Sequence, residues 1–505
     1  MVPERTSENC LTAEIWTTAP VGEASFAQLD PRLPRTFEPL YTPDVYNRSN
    51  VSDAPAASLR PAAVGKFEPL YTSDVHNRSA FDMAGVEDTV STRGRPVLVW
   101  IPGGSFRIGG ASLPTYDGRH LAADGDMVVI GLNYRLGLLG FLAAEGVPSN
   151  LGLRDLLAAI DWIRANAVAF GGDPERITLM GESAGAGAIT HLLSRPDLPI
   201  AGAIVLSGSA TMTLGLATAR VVAETVFEVA GVSGAAGLAG RSVEDLLDVQ
   251  TQAVGDLAAT VGMMPFHPWV DGDVVPVAPL EAATAGALRT VPLVIGTTAH
   301  EMELFRPMVP TLPTEYAARY LQGRAAPLGL TPEGVAAGLA ACDGDLVAAI
   351  ADIDLQLPAL WLAESHARRG LPVWRVLFTW ESPGHQACHA LDLPFHFGTL
   401  DVDVWREFAG ATGADAEDAD RLSEHLRQAW AQFAATGVPG CPSIGDWPTY
   451  VGNNRTAAAS GGEHAGAPCN IGDDLRERSN LVTETGRNIR AAPDLNGSRY
   501  AAWRS

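Results

Sequence analysis

Residues 176–194 read R-I-T-L-M-G-E-S-A-G-A-G-A-I-T-H-L-L-S. Ile177 to Met180 is a short apolar run of strand length, and Ala184 to Leu193 is rich in alanine and leucine, as a helix would be. Between them Gly181-Glu182-Ser183-Ala184-Gly185 fits G-x-S-x-G. A serine between strand and helix is held on a sharp, strained turn with its hydroxyl projecting. Glycines flank it because side chains there would clash with the turn. The helix N-terminus offers free N–H groups and a positive dipole end to a developing anion. The same five residues also fit a glycine-rich loop with a solvated serine. The strand before them and the helix after them favour a nucleophile elbow.

The neighbouring sequence supplies the sheet such an elbow needs. Val97-Leu98-Val99-Trp100-Ile101 and Met127 to Leu132 are continuous apolar runs, the mark of strands buried on both faces. Ala203–Leu206, Pro292–Ile295 and Val373–Phe378 follow the elbow in the same style. Helical patterns at Leu153–Asn166, Ala217–Val229, Val347–His366 and Ala419–Ala435 lie between most of the strands. This alternation predicts an α/β protein with a mostly parallel central sheet and helices on both faces.

The chain has 505 residues, 47% of them hydrophobic, enough for one large core. Its formal charge of −23 disfavours nucleic acid and anionic membrane as partners and says little about a neutral small molecule. The five cysteines, Cys10, Cys342, Cys388, Cys441 and Cys469, form no C-x-x-C pair. The first residues contain no apolar signal core, and no uninterrupted run of about 18 apolar residues occurs. The expectation for the sequence as written is a cytoplasmic chain without a membrane span; an N-terminal signal would be missing if the chain were truncated. Oligomeric state is not legible.

Residues 1–19 contain one strand, within Cys10–Trp16. Residues 20–95 read as a polar, Pro-rich insertion, expected to be poorly ordered. It holds a repeat: F-E-P-L-Y-T-P-D-V-Y-N-R-S at Phe37–Ser49 and F-E-P-L-Y-T-S-D-V-H-N-R-S at Phe67–Ser79. Two copies are too few for a solenoid. Residues 96–450 carry the α/β core. The tail, 451–505, turns polar and shows no element until its end.

A serine that attacks an ester carbonyl needs N–H donors for the oxyanion, an acid and a histidine. Gly103-Gly104-Ser105 ends an early strand and suits the donors, although strand-end turns favour glycine on their own account. Glu301 sits just past the Pro292–Ile295 strand in G-T-T-A-H-E-M-E, with Glu303 as its local competitor. Of the histidines further on, His366 and His425 fall in helical patterns and read as surface positions. His385, His389 and His396 cluster after the Val373–Phe378 strand, where composition does not choose among them. Phe106, Phe266 and Phe305 suit either a substrate pocket or a plain core.

These stretches together resemble the type-B carboxylesterases, the group of cholinesterases and bacterial nitrobenzyl esterases. The likeness rests on S-E-N-C-L-T-A-E-I-W, V-L-V-W-I-P-G-G-S-F, N-Y-R-L-G-L-L-G-F-L, F-G-G-D-P-E-R-I-T-L-M-G-E-S-A-G-A, P-F-H-P-W-V-D-G-D-V-V-P, V-I-G-T-T-A-H-E and C-H-A-L-D-L-P-F-H-F-G. It implies an α/β-hydrolase fold and a carboxylic-ester hydrolase working on a small-molecule ester, with no metal or cofactor needed. Carried over by position, it implies Ser183 as nucleophile, Glu301 as acid and His389 as base. Gly104, Ser105 and Ala184 become the oxyanion donors, and Arg135 and Asp155 a structural ion pair.

Three departures stand out. Pro102 opens the glycine loop where the family has histidine or tyrosine. The family's N-terminal edge strands have no counterpart in the six residues before Ser7. The tail after Tyr450 does not follow the family. A non-catalytic or decayed relative, or an amide or carbamate hydrolase using the same site, is the alternative reading.

Overall fold

The computed structural model describes residues 12–18, 94–451 apart from 209, 259 and 263, 481–485, 489–493 and 497–504. The repeat at 37–79, and all of the 20–95 insertion except Gly94 and Arg95, lie outside the described residues.

Among the described residues eleven strands follow in chain order: β1 (Ala13–Trp16), β2 (Arg95–Ile101), β3 (Val128–Leu132), β4 (Gly172–Glu182), β5 (Gly202–Leu206), β6 (Leu293–Thr298), β7 (Val373–Phe378), the short hairpin β8 (Gly440–Cys441) and β9 (Gly445–Asp446), then β10 (Leu481–Thr485) and β11 (Ile489–Pro493). Nine of them form one sheet in the order β1-β3-β2-β4-β5-β6-β7-β10-β11. Only its two outer pairs, β1 with β3 and β10 with β11, run antiparallel. The other pairs are parallel, which for β2 to β7 fits their continuous apolar runs.

Alternation along each strand divides the apolar interior in two. Val97, Val99 and Ile101 of β2, with Ala203 and Val205 of β5, face one core. Leu98 and Trp100, with Ile204 and Leu206, face the other. The first core is covered by the helix Leu151–Asn166, through Leu153, Leu156, Ile160 and Ile163, and by the elbow helix Ala184–Leu193. The second is covered by Leu422, Leu426, Trp430 and Phe433 of the helix Ala416–Thr436. Helices Leu216–Ala230 and Val243–Leu257 form a separate apolar cluster with Phe266.

The expectations for His366 and for the tail change. His366 is buried, not on the surface: its Nε2 lies 2.7 Å from the Val291 carbonyl, and burial holds its pKa below the usual imidazole value. The helical stretch Leu346–Arg368 is long and apolar enough to cross a bilayer by length and composition, but most of it is buried inside the fold. The tail also adds more than its polarity suggests. β10 extends the sheet beside β7, with Thr483 opposite Val376, and the helix Gly497–Ala502 buries Tyr500, with Trp503 just beyond it.

Parallel strands share one carboxyl edge, where ligands of open α/β sheets bind. Here β2 leads to Pro102, β4 to Ser183, β5 to Ser207, β6 to Glu301 and β7 towards His389.

Candidate active site

Ser183 stands between β4 and the elbow helix with φ 55° and ψ −125°, a conformation that costs a non-glycine residue of order 1–3 kcal/mol. The flanking glycines permit it. A Cβ on Gly181 would lie 2.7 Å from the Gly185 carbonyl carbon, and one on Gly185 would lie 1.9 Å from the Ile101 oxygen. The helix therefore begins hard against the end of β2, and the serine is only partly covered.

The glycine loop lies over it. A Cβ on Gly103 would come within 3.0 Å of Ser183 Cβ and 2.9 Å of Glu182 Oε2. Gly104, Ser105 and Phe106 have consecutive positive φ values of 114°, 59° and 55°. The turn is closed by Arg107 and Ile108, whose N–H groups both donate to the Gly104 carbonyl. Among the described residues the N–H groups of Gly104, Ser105 and Ala184 have no backbone acceptor in these turns. Pro102 is compatible with the loop: its carbonyl accepts a 3.1 Å hydrogen bond from the Tyr134 hydroxyl. Beyond Tyr134, Arg135 donates Nε to Asp155 at 2.7 Å and its own N–H to the same carboxylate at 3.0 Å. The Gly137 N–H reaches the Phe106 carbonyl at 2.6 Å, so this segment braces the loop.

Glu301 and His389 are joined directly. The Glu301 Oε2 to His389 Nδ1 distance is 2.7 Å, the His389 N–H donates to the Glu301 carbonyl at 3.2 Å, and the Thr298 N–H donates to Glu301 Oε1 at 2.8 Å. Glu301 is fully buried. Glu303 instead pairs with Arg306 at 2.5 Å. The three clustered histidines separate clearly. His385 is exposed on the turn Ser382–Gln386. His396 is fixed between Trp430, whose Nε1 donates to its Nδ1 at 3.0 Å, and Asp392 at 3.0 Å on Nε2. His389 alone meets Glu301.

The outer nitrogen of His389 faces a carboxylate that the sequence reading did not single out. Nε2 lies 3.1 Å from Glu182 Oε1, an ion-pair distance with angles outside a hydrogen bond. Among the described residues no hydrogen bond joins the Ser183 hydroxyl to His389. Such bonds are often long in unliganded sites and tighten with substrate. Burial works against the charged imidazole, but Glu182 and then Glu301 outweigh it and push the His389 pKa up to about 9. Burial likewise pushes Glu182 up to about 8, with His389 opposing. Asp392 Oδ1 and Ser207 Oγ are also buried without a hydrogen-bond partner among the described residues. Glu182 lies inside the elbow motif and Asp392 three residues past His389, but only the fold buries both carboxylates beside the imidazole.

Of the three phenylalanines, Phe305 is half-buried with its ring centroid 5.8 Å from that of His389. Phe106 and Phe266 are core residues, the former edge-on to Phe141 at 5.2 Å.

Residues 84–320 and 339–468 match the carboxylesterase family. The chain is 35% identical over 374 residues to the para-nitrobenzyl esterase of Bacillus subtilis, spanning 71% of this chain and 74% of that protein. It is 31% identical over 377 residues to the fumonisin B1 esterase of Sphingopyxis macrogoltabida, spanning 72% and 68% of the two. Among solved structures, a PNB esterase superposes with a TM-score of 0.67 at 30% identity, covering 81% of this chain and 82% of that one. A Geobacillus stearothermophilus carboxylesterase gives a TM-score of 0.66 at 29% identity, covering 82% and 83%. Sheet, elbow and relatives agree: the chain belongs to the carboxylesterase family and is a carboxylic ester hydrolase with the α/β-hydrolase fold.

Proposed function

We propose that the ester is cleaved through an acyl-enzyme formed on Ser183, with His389 as general base and Glu301 as its orienting acid. The observation that carries this reading is the buried 2.7 Å contact between Glu301 Oε2 and His389 Nδ1, on the sheet edge where the strained Ser183 turn also lies. With its Nδ1 proton donated to Glu301, a neutral His389 keeps its Nε2 lone pair for the serine. His389 takes the hydroxyl proton as Ser183 Oγ bonds to the carbonyl carbon. The oxyanion is met by the N–H groups of Gly104, Ser105 and Ala184. The ester C–O bond then breaks, and the alcohol leaves with the proton from His389. Water repeats the sequence on the acyl-enzyme and frees the acid.

The experiment is pre-steady-state hydrolysis of p-nitrophenyl butyrate. A burst of p-nitrophenol stoichiometric with enzyme, abolished in Ser183→Ala, is expected. Turnover unchanged in that variant would overturn the proposal.

A further inference from the structure

Glu301 is aimed by one backbone N–H, that of Thr298, and the position of Thr298 is set from outside the strand. Gln356 is 1% exposed and ends the π-helical segment Asp352–Gln356. Such segments are rare and often sit at functional sites. Its Nε2 donates to the Thr298 carbonyl at 2.7 Å. Its Oε1 accepts from the Thr297 hydroxyl at 2.8 Å and from the Tyr500 hydroxyl at 3.2 Å. One side-chain amide therefore holds the last two residues of β6, using both its donor and its acceptor end. Tyr500 belongs to the C-terminal helix, which grips the start of the same segment as well. Asp352, fully buried, accepts from Arg499 at 2.6 Å and from Trp503 Nε1 at 3.0 Å. Gly338 leaves the space for Trp503: a Cβ there would lie 2.0 Å from the indole.

We propose that Gln356 is a positioning residue for ester hydrolysis, oriented by Tyr500 of the C-terminal helix. A continuous path runs from Tyr500 OH through the Gln356 amide to Thr298, from the Thr298 N–H to Glu301 Oε1, and from Glu301 Oε2 to His389 Nδ1. The C-terminal helix thus fixes the acid without touching it. This inference rests on the triad reading above. A small displacement of a catalytic group is enough to matter, because about 1 Å of misplacement can cost 10²-fold in rate.

The test compares Gln356→Met, Tyr500→Phe, Glu301→Gln and the double variant Gln356→Met/Glu301→Gln in the full chain, with p-nitrophenyl butyrate as substrate. Gln356→Met keeps the side chain's length and loses its hydrogen bonds. It is expected to lower kcat about 10- to 100-fold with little change in KM. It should also move the acid limb of the pH–rate profile to lower pH, since a loosened Glu301 supports the charged imidazole less. Tyr500→Phe is expected to shift both in the same direction by less. The double variant should be little worse than Glu301→Gln alone, because the two residues act in series. An unchanged kcat and pH profile in Gln356→Met, or fully additive losses in the double variant, would overturn the inference. If Gln356→Met does not fold, Tyr500→Phe decides: a fall in kcat with the pH shift supports it, and wild-type behaviour overturns it. Full activity in Glu301→Gln would instead defeat the triad reading itself, which keeps the two failures distinct.

Discussion

His389 presents its two ring nitrogens to two buried carboxylates, with Nδ1 2.7 Å from Glu301 and Nε2 3.1 Å from Glu182. The second contact has a kinetic consequence. General-base catalysis needs the neutral imidazole, and this imidazole holds its proton up to a pKa of about 9. The logarithm of kcat/KM is therefore expected to rise with pH through neutrality and level off near pH 9. Glu182 is the main group raising that pKa. Glu182→Gln removes the charge while keeping the shape, so the acid limb should move down by about one pH unit or more. Stopped-flow kcat/KM from pH 5 to 10 for both proteins checks this. A profile unmoved by the substitution contradicts the electrostatic role of Glu182.

Two glutamates compete for the acid's role in the sequence, and the fold gives them different partners. Glu301 is fully buried on His389, whereas Glu303 pairs with the half-exposed Arg306. Glu301→Gln is expected to lower kcat by about 10³- to 10⁴-fold, as for other acids that orient a catalytic histidine. Glu303→Gln should stay near wild type, since an exposed ion pair contributes only about 0–1 kcal/mol. Steady-state kinetics with folding checked by circular dichroism separates the two.

The glycine loop gives a third expectation. Gly104 has φ 114°, and a Cβ there would lie 2.0 Å from the Ile108 oxygen. Gly104→Ala cannot keep this turn and should redirect the Ser105 N–H. Loss of one oxyanion donor lowers kcat by about 10²- to 10³-fold. KM should change less than kcat, because the donors act on the transition state more than on the bound ester.

The brace behind that loop should show in stability. Asp155 is 7% exposed and takes three hydrogen bonds from Arg135, two from the guanidinium and one from the backbone. Asp155→Ala removes all three of these hydrogen bonds from a partly buried guanidinium and its backbone N–H, and is expected to cost about 3 kcal/mol. Urea denaturation of the two proteins measures it, with a lower midpoint and an unchanged slope as the expected result.

The central sheet was legible because β2 to β7 are buried on both faces and leave continuous apolar runs in the sequence. Their order in the sheet was not, since register depends on partners far apart in the chain. The elbow was legible because its glycines answer to local sterics. The histidine was not legible from composition: His385, His389 and His396 differ only in what other elements bring to them. Glu182 and Asp392 are hidden in the sequence for the same reason, since their burial beside His389 is created by the meeting of β4 with the loop after β7. His366 looked like a surface residue because helical spacing alone does not reveal the Val291 carbonyl it meets. The tail's strands were hidden because β10 is defined by backbone pairing to β7 rather than by its own apolarity.

The most direct measurement is covalent. The chain would be treated with a fluorophosphonate, digested and mapped by mass spectrometry. A single adduct on Ser183 is expected, together with its loss in Ser183→Ala and slower formation in His389→Ala. An adduct on another residue, or full ester hydrolysis by Ser183→Ala, would contradict Ser183 as the nucleophile.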